Sequence, residues 1–159
     1  MGYQKILVAL DRSSHSEIVL EEAIALAKPN GAQLMIFHRL EVNDPDPYGY
    51  SDLHASNIAR YSQIMQERLE SELDHIRSWL DSCVRRAADQ NITADWNWKM
   101  GDTGRCICQM AKDFGTDLIV VGRRGHQGVI EALLGSVSNF VVHRAPCSVL
   151  IVQSRESGI

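Results

Sequence analysis

Long apolar runs are missing from this chain of 159 residues. A helix that crosses a bilayer needs about 20 consecutive apolar residues, and no stretch approaches that length. Cysteine is sparse, with four residues at Cys83, Cys106, Cys108 and Cys147. They form no C-x-x-C pair, and Cys106-x-Cys108 is too tight for the usual zinc spacing. Reduced thiols of a cytoplasmic protein are the expectation. A surplus of positive charge is lacking too. Sixteen Lys+Arg against twenty Asp+Glu leave a net charge of −4, so no broad electrostatic footprint for nucleic acid is expected. The opening Met1-Gly2-Tyr3-Gln4-Lys5 runs straight into an apolar stretch, without the length or cleavage site of a signal peptide. Gly2 makes no myristoylation site, because position 6 is Ile.

What is present is ordinary globular material, 45% apolar and 23% charged, at a length that suits one domain. Lys5 to Leu10 is a short, nearly continuous apolar run, as a strand covered on both faces should be. Ser14 and Glu17 have capping-box spacing, and Val19, Leu20, Ala23, Leu26 and Ala27 follow at helical intervals until Pro29-Asn30-Gly31. Gln33 to His38 is a second buried strand. Residues 43–57 are rich in Pro, Gly and Asp at their start and read as a mobile loop. A long helix follows, with Ile58, Tyr61, Met65, Leu69, Leu73, Ile76, Leu80, Cys83 and Ala87 forming one apolar stripe.

Ile92, Ala94, Trp96, Trp98 and Met100 alternate with polar residues, the pattern of an edge strand with one wet face. Its two tryptophans are expected to pack under a helix. Ile107, Met110, Ala111 and Phe114 mark a third helix ending at Gly115. Asp117 to Val121 is a buried strand, Ser136 to Arg144 a helix, and Pro146 to Val152 a last strand. Five strands alternating with four helices require right-handed crossovers and a parallel sheet covered on both faces. The expectation is one domain, residues 1–159, of the doubly wound α/β class.

In such sheets ligands bind outside the carboxyl ends of strands, where strand order reverses. Three places qualify: Asp11-Arg12-Ser13 after the first strand, Arg39 after the second, and Gly122 to Ser136 after the fourth. Gly122 and Gly125 suggest a tight turn and a bare backbone where a ligand approaches. Gly135-Ser136 opens a helix whose first amides make an anion site, with the Ser136 and Ser138 hydroxyls as further donors. The whole describes a cradle for phosphates. It is not a P-loop, because no G-x-x-x-x-G-K-[ST] occurs. It is not a dinucleotide fingerprint, because G-x-G-x-x-G is absent and the glycines follow the fourth strand. A receiver domain would need an acidic cluster where Asp11 stands alone.

The spacing Gly122, two residues, Gly125, nine residues, Gly135-Ser136 resembles the G-2x-G-9x-G-[ST] signature of the ATP-binding branch of the universal stress protein family. Lys5 to Asp11, Leu34 to His38, Asp117 to Gly122 and Ala145 to Val152 resemble that family's strands, so the likeness covers nearly the whole chain. It implies an adenine-nucleotide alpha-hydrolase-like sheet of order 3-2-1-4-5. It implies that Ala9, Leu10 and Asp11 frame the adenine, with Arg39 also against the base where the family often has an apolar residue. Val121, Gly122 and Gly125 would lie along ribose and phosphates, with Gly135, Ser136, Val137 and Ser138 holding the phosphates. It also implies a homodimer through Val149 to Val152.

Asp11 either orients Mg²⁺ or ribose, or caps the turn after the first strand; the ligand role is favoured because the first and fourth loops should meet. Arg123 and Arg124 are secondary candidates for neutralising phosphates. His38 is expected to be a hydrogen-bonded structural residue. His126, without an orienting partner in the sequence, reads as a surface histidine. The function expected is binding of ATP, or of AMP or ADP, with or without Mg²⁺, by a cytoplasmic stress-response regulator. Slow Mg²⁺-dependent ATP hydrolysis, and an interaction role with AMP, an adenosine-based second messenger or no nucleotide, stand as alternatives.

Overall fold

The computed structural model describes residues 2–41, 55–123 and 134–153. Nine elements alternate: β1 (Lys5–Leu10), α1 (His15–Asn30), β2 (Gln33–Arg39), α2 (Ala55–Ala88), β3 (Ala94–Lys99), α3 (Thr103–Phe114), β4 (Leu118–Arg123), α4 (Ser136–Arg144) and β5 (Ser148–Gln153). The five strands form one sheet of order β3-β2-β1-β4-β5, and every neighbouring pair is parallel. Ile6, Leu7 and Val8 of the central strand are fully buried, which is why β1 carries no alternation of polar and apolar residues.

Helices cover both faces. On one, Val19, Leu20 and Ala23 of α1 and Ile76, Leu80 and Cys83 of α2 share a core with Ile6, Val8, Leu34 and Ile36. On the other, Ile107, Met110 and Ala111 of α3 and Val141 of α4 pack with Leu7, Phe37, Ile119 and Val121. Asp117 joins the two halves of the sheet, its carboxylate accepting from the amides of Gln4 at 2.8 Å and Lys5 at 3.2 Å. The edge strand β3 turns Trp96 and Trp98 toward the α1–α2 core. Trp96 Nε1 donates to Asp81 Oδ1 of α2 at 2.7 Å, so the tryptophans sit under a helix as their spacing predicts.

Three local expectations need correction. Ser14 precedes α1 but makes no side-chain cap, because its own backbone is already helical (φ −59°, ψ −27°), whereas a capping serine needs an extended conformation. Glu17 instead pairs with Arg86 of α2. The cap expected there occurs at α3, where Asp102 is extended and accepts from Arg105 N at 3.0 Å. Second, α2 begins at Ala55, inside the stretch expected to be loop; most of residues 43–57 lie outside the described part. Third, the α2 stripe is buried only in its second half. Ile76, Leu80, Cys83 and Ala87 are buried, while Ile58 and Leu69 are 41% and 38% exposed. A helix of 34 residues is about 50 Å long, and a six-residue strand is about 20 Å, so α2 outruns the sheet it covers. Among the described residues no helix is long and apolar enough to cross a membrane.

Candidate functional site

Strand order reverses between β1 and β4, since β1 continues toward β2 and β4 toward β5. A cleft of about 680 Å³ opens there, at the carboxyl ends of the strands. Ala9, Leu10, Asp11, Arg39, Val121, Gly122, Gly135, Ser136, Val137 and Ser138 all line it. Arg124, Gly125, His126 and the intervening glycine segment lie outside the described residues. Its apolar wall comes from Phe37, Ile76, Ile107 and Val121.

The fourth side of the cleft is the N-terminus of α4. Gly135 precedes the helix in an extended conformation (φ −59°, ψ 160°), and a Cβ there would meet nothing within 4 Å. The first helical bond after it runs from Asn139 N to Gly135 O. The amides of Ser136, Val137 and Ser138 therefore precede the ladder and have no carbonyl within the helix. Ser138 is buried, and its hydroxyl donates to Gly122 O at 3.2 Å. This bond fastens α4 to β4, and Ser138 still lines the cleft. Ser136 is exposed.

Gly122 also has a different role from the one its spacing suggests. It is the fifth residue of β4, not part of a turn. A Cβ on it would lie 2.8 Å from His15 Cδ2 and 2.9 Å from Val19 Cγ2. Gly122 stands beside Val152 in the sheet, and His15 reaches across it to place Nε2 3.0 Å from Val152 O. The carbonyl only accepts, so Nε2 is the donor. Nδ1 is buried without a partner among the described residues.

Asp11 serves the turn after β1. Its Oδ1 accepts from Ser13 N at 3.0 Å and Ser16 Oγ at 2.8 Å, and Ser16 Oγ accepts from Asp11 N at 3.1 Å. The carboxylate still lines the cleft, so the turn holds it in place beside any occupant. The mouth carries two ion pairs that no sequence motif signals. Arg12, at a left-handed φ of 64°, pairs with Glu72 of α2 at 2.7 Å. Arg39 pairs with Glu41 and donates to Gly101 O at 3.3 Å. Thr103, at the start of α3, was also missed. The rule that sites gather at strand carboxyl ends would have found it, had it been applied after β3.

His38 closes the floor. Its Nδ1 donates to Leu10 O at 2.8 Å, and its ring meets Trp79 edge-on at 5.2 Å. Burial pushes the imidazole below its ordinary value of 6.5, and the cations Arg12 and Arg39 act in the same direction. The ring is therefore held neutral, a structural role as expected. Among the described residues no three His, Cys, Asp or Glu side chains meet in a way that could hold a metal ion.

Comparison with known proteins agrees with this architecture. The model of the universal stress protein family matches residues 2–153. The universal stress protein Sll1388 of Synechocystis is 44% identical over 96% of this chain and 99% of its own. The chain belongs to the universal stress protein family. Among solved structures, the universal stress protein UspA from Lactobacillus plantarum superposes with a TM-score of 0.71 at 25% identity, over 96% of this chain and 99% of that one. A universal stress protein in complex with cAMP gives 0.67 at 24% identity, over 96% and 98%. One from Archaeoglobus fulgidus in complex with dAMP gives 0.57 at 19%, over 95% and 98%.

Two outcomes follow for this universal stress protein. Gly122→Ala should lower unfolding stability by about 1–3 kcal/mol through overpacking, measured by urea denaturation. Adding His15→Ala should return part of that loss, because the two sites share one space; strictly additive losses would contradict the clash. His38 binds protons less readily folded than unfolded, so stability should fall as pH drops below about 6.5. His38→Asn should flatten that dependence between pH 7 and pH 5, and an unchanged slope would show that His38 is not its source.

Proposed function

We propose that this protein is an ATP-binding regulator of the stress response, and that the cleft between β1 and β4 is its nucleotide site. The observation that carries the proposal is the open N-terminus of α4 facing a cavity of about 680 Å³. That volume falls within the roughly 300–1,000 Å³ of small-molecule sites. The first amides of a helix and the positive end of its dipole favour an anion. The residues present fit the group. Ala9 and Leu10 offer backbone edges and Val121 and Ile107 apolar surface for a base, while Gly135 leaves the helix amides uncovered. Asp11 is the carboxylate placed to meet Mg²⁺ carried in with the phosphates, and Arg39 lies at the mouth beside the base position. The cAMP and dAMP complexes of related structures support an adenine ligand. They also favour a second reading, in which the physiological ligand has a shorter phosphate chain.

Bound nucleotide would bias the protein only to the extent that one of its states binds it more tightly. We place the protein in the cytoplasm, a reading supported by four free cysteines. Burial pushes the thiols of Cys83, Cys108 and Cys147 upward, which keeps them protonated. We further propose a homodimer through β5, which has no strand on its outer side among the described residues and whose Val149, Leu150 and Ile151 remain only half-buried in the single chain.

Calorimetric titration with ATP, with and without Mg²⁺, tests the site. Wild type should bind stoichiometrically, and Gly135→Val should weaken binding at least tenfold while the fold stays intact, since a Cβ there meets no described atom within 4 Å. Equal affinity in the variant, or no binding by wild type to ATP, ADP or AMP, would remove the proposal. Mass spectrometry of ligand released from the denatured protein decides between ATP and a monophosphate. Sedimentation velocity should give twice the chain mass for wild type and a monomer for Leu150→Lys. A wild-type monomer at tens of micromolar would exclude the β5 dimer.

A further inference from the structure

The chain is acidic overall, yet one groove gathers positive charge. It runs along the outer side of α3 toward α4, encloses about 620 Å³, and is lined by Lys99, Arg105, Lys112 and Arg144 with Cys106 and Phe140 among them. Four of the sixteen Lys+Arg residues of the protein therefore face one space, and among the described residues no carboxylate lines it. Two acids stand close by. Asp113 is 3.5 Å from Lys99 and also accepts from Gln109 at 2.9 Å. Asp102 Oδ1 is committed to the amide of Arg105 as the α3 cap. Among the described residues, Arg105, Lys112 and Arg144 make no ion pair.

This groove is separate from the cleft at β1 and β4. Thr103 and Ile107 of α3 line the cleft, while Arg105, Cys106, Gln109 and Lys112 line the groove, so the helix presents different sides to the two spaces. Arg105 and Lys112 lie two turns apart, about 10 Å along the helix axis. An anion carrying several charges along its length suits that spacing better than a compact one. Guanidinium groups bind phosphate oxygens in pairs, and lysines add charge without fixed geometry.

The lining also narrows the occupant. A protein partner would need an apolar anchor. The aromatic ring available, Phe140, is already packed on Gly104, where an added Cβ would come within 2.6 Å of it. A nucleic-acid strand would need a row of stacking aromatics.

We propose that the α3–α4 groove is a second anion site that takes a small, multiply charged anion of the condensed-phosphate class. The probe is inorganic tripolyphosphate, titrated calorimetrically into Gly135→Val protein so that the cleft at α4 does not contribute. One-to-one binding is expected. It should weaken at least tenfold in Gly135→Val carrying Arg105→Gln and Arg144→Gln, and about as much when salt is raised from about 0.05 to about 0.5 M. The charge-preserving pair Arg105→Lys and Arg144→Lys should retain most of the affinity. Introduced into the otherwise wild-type chain, Arg105→Gln and Arg144→Gln should leave its thermal midpoint and its ATP titration unchanged, which separates this site from the nucleotide site. Absence of tripolyphosphate binding in Gly135→Val protein, or equal binding with and without the two arginines, overturns the proposal. So does tighter binding of a poly-glutamate peptide or of a single-stranded oligonucleotide than of tripolyphosphate.

Discussion

The cleft exists because α4 is held with its first turn against the carboxyl end of β4. Contacts made along the helix hold it there. The Ser138 hydroxyl donates to Gly122 O, Val141 is fully buried among residues of the sheet, and Phe140 lies on the bare backbone of Gly104 in α3. One face of a nine-residue helix is thus fixed by a hydrogen bond, a core side chain and an aromatic contact. The opposite result would be a frayed terminus, whose amides would lose both their common direction and their aligned dipole.

The sequence exposed this architecture well and its local chemistry less well. Buried strands show as short apolar runs whatever surrounds them, so β1, β2 and β4 were legible within a residue or two. The edge position of β3 was legible from the alternation around Trp96 and Trp98. The glycine spacing correctly pointed to the end of β4 and the start of α4. What a glycine is for was not legible. Gly122 and Gly135 belong to the same pattern, yet one makes room for His15 and Val19 while the other leaves a helix terminus uncovered. The difference depends on which side chains arrive from other elements, and that information is not local. The same holds for Ser14 and Asp102. Both precede helices, but only Asp102 has the extended backbone a cap requires.

Charge at the mouth of the cleft is arranged as two closed pairs, Arg12 with Glu72 and Arg39 with Glu41. Arg12 follows β1 and Arg39 ends β2; each pairs with a partner further along the chain, and each pair is partly exposed. Pairs of this kind add little to stability, on the order of 0–1 kcal/mol. Their effect is on position and field. Arg12 is held near the ring of Trp79, which itself meets His38 edge-on. Together with burial, this ring of cations keeps His38 neutral, so the floor of the cleft carries no positive charge of its own.

His15 ties the cleft to the edge of the sheet. It sits in the first turn of α1, passes over Gly122 and bonds the carbonyl of Val152 on β5. An occupant lying along Gly122 would therefore lie one strand away from β5, the last strand of the sheet. Contact alone transmits nothing. A ligand can shift the position of β5 only by the difference in its affinity for two arrangements of that strand. Gly122 then matters twice for one reason: the atom it lacks admits the histidine, and the histidine links the helix beside the cleft to the last strand.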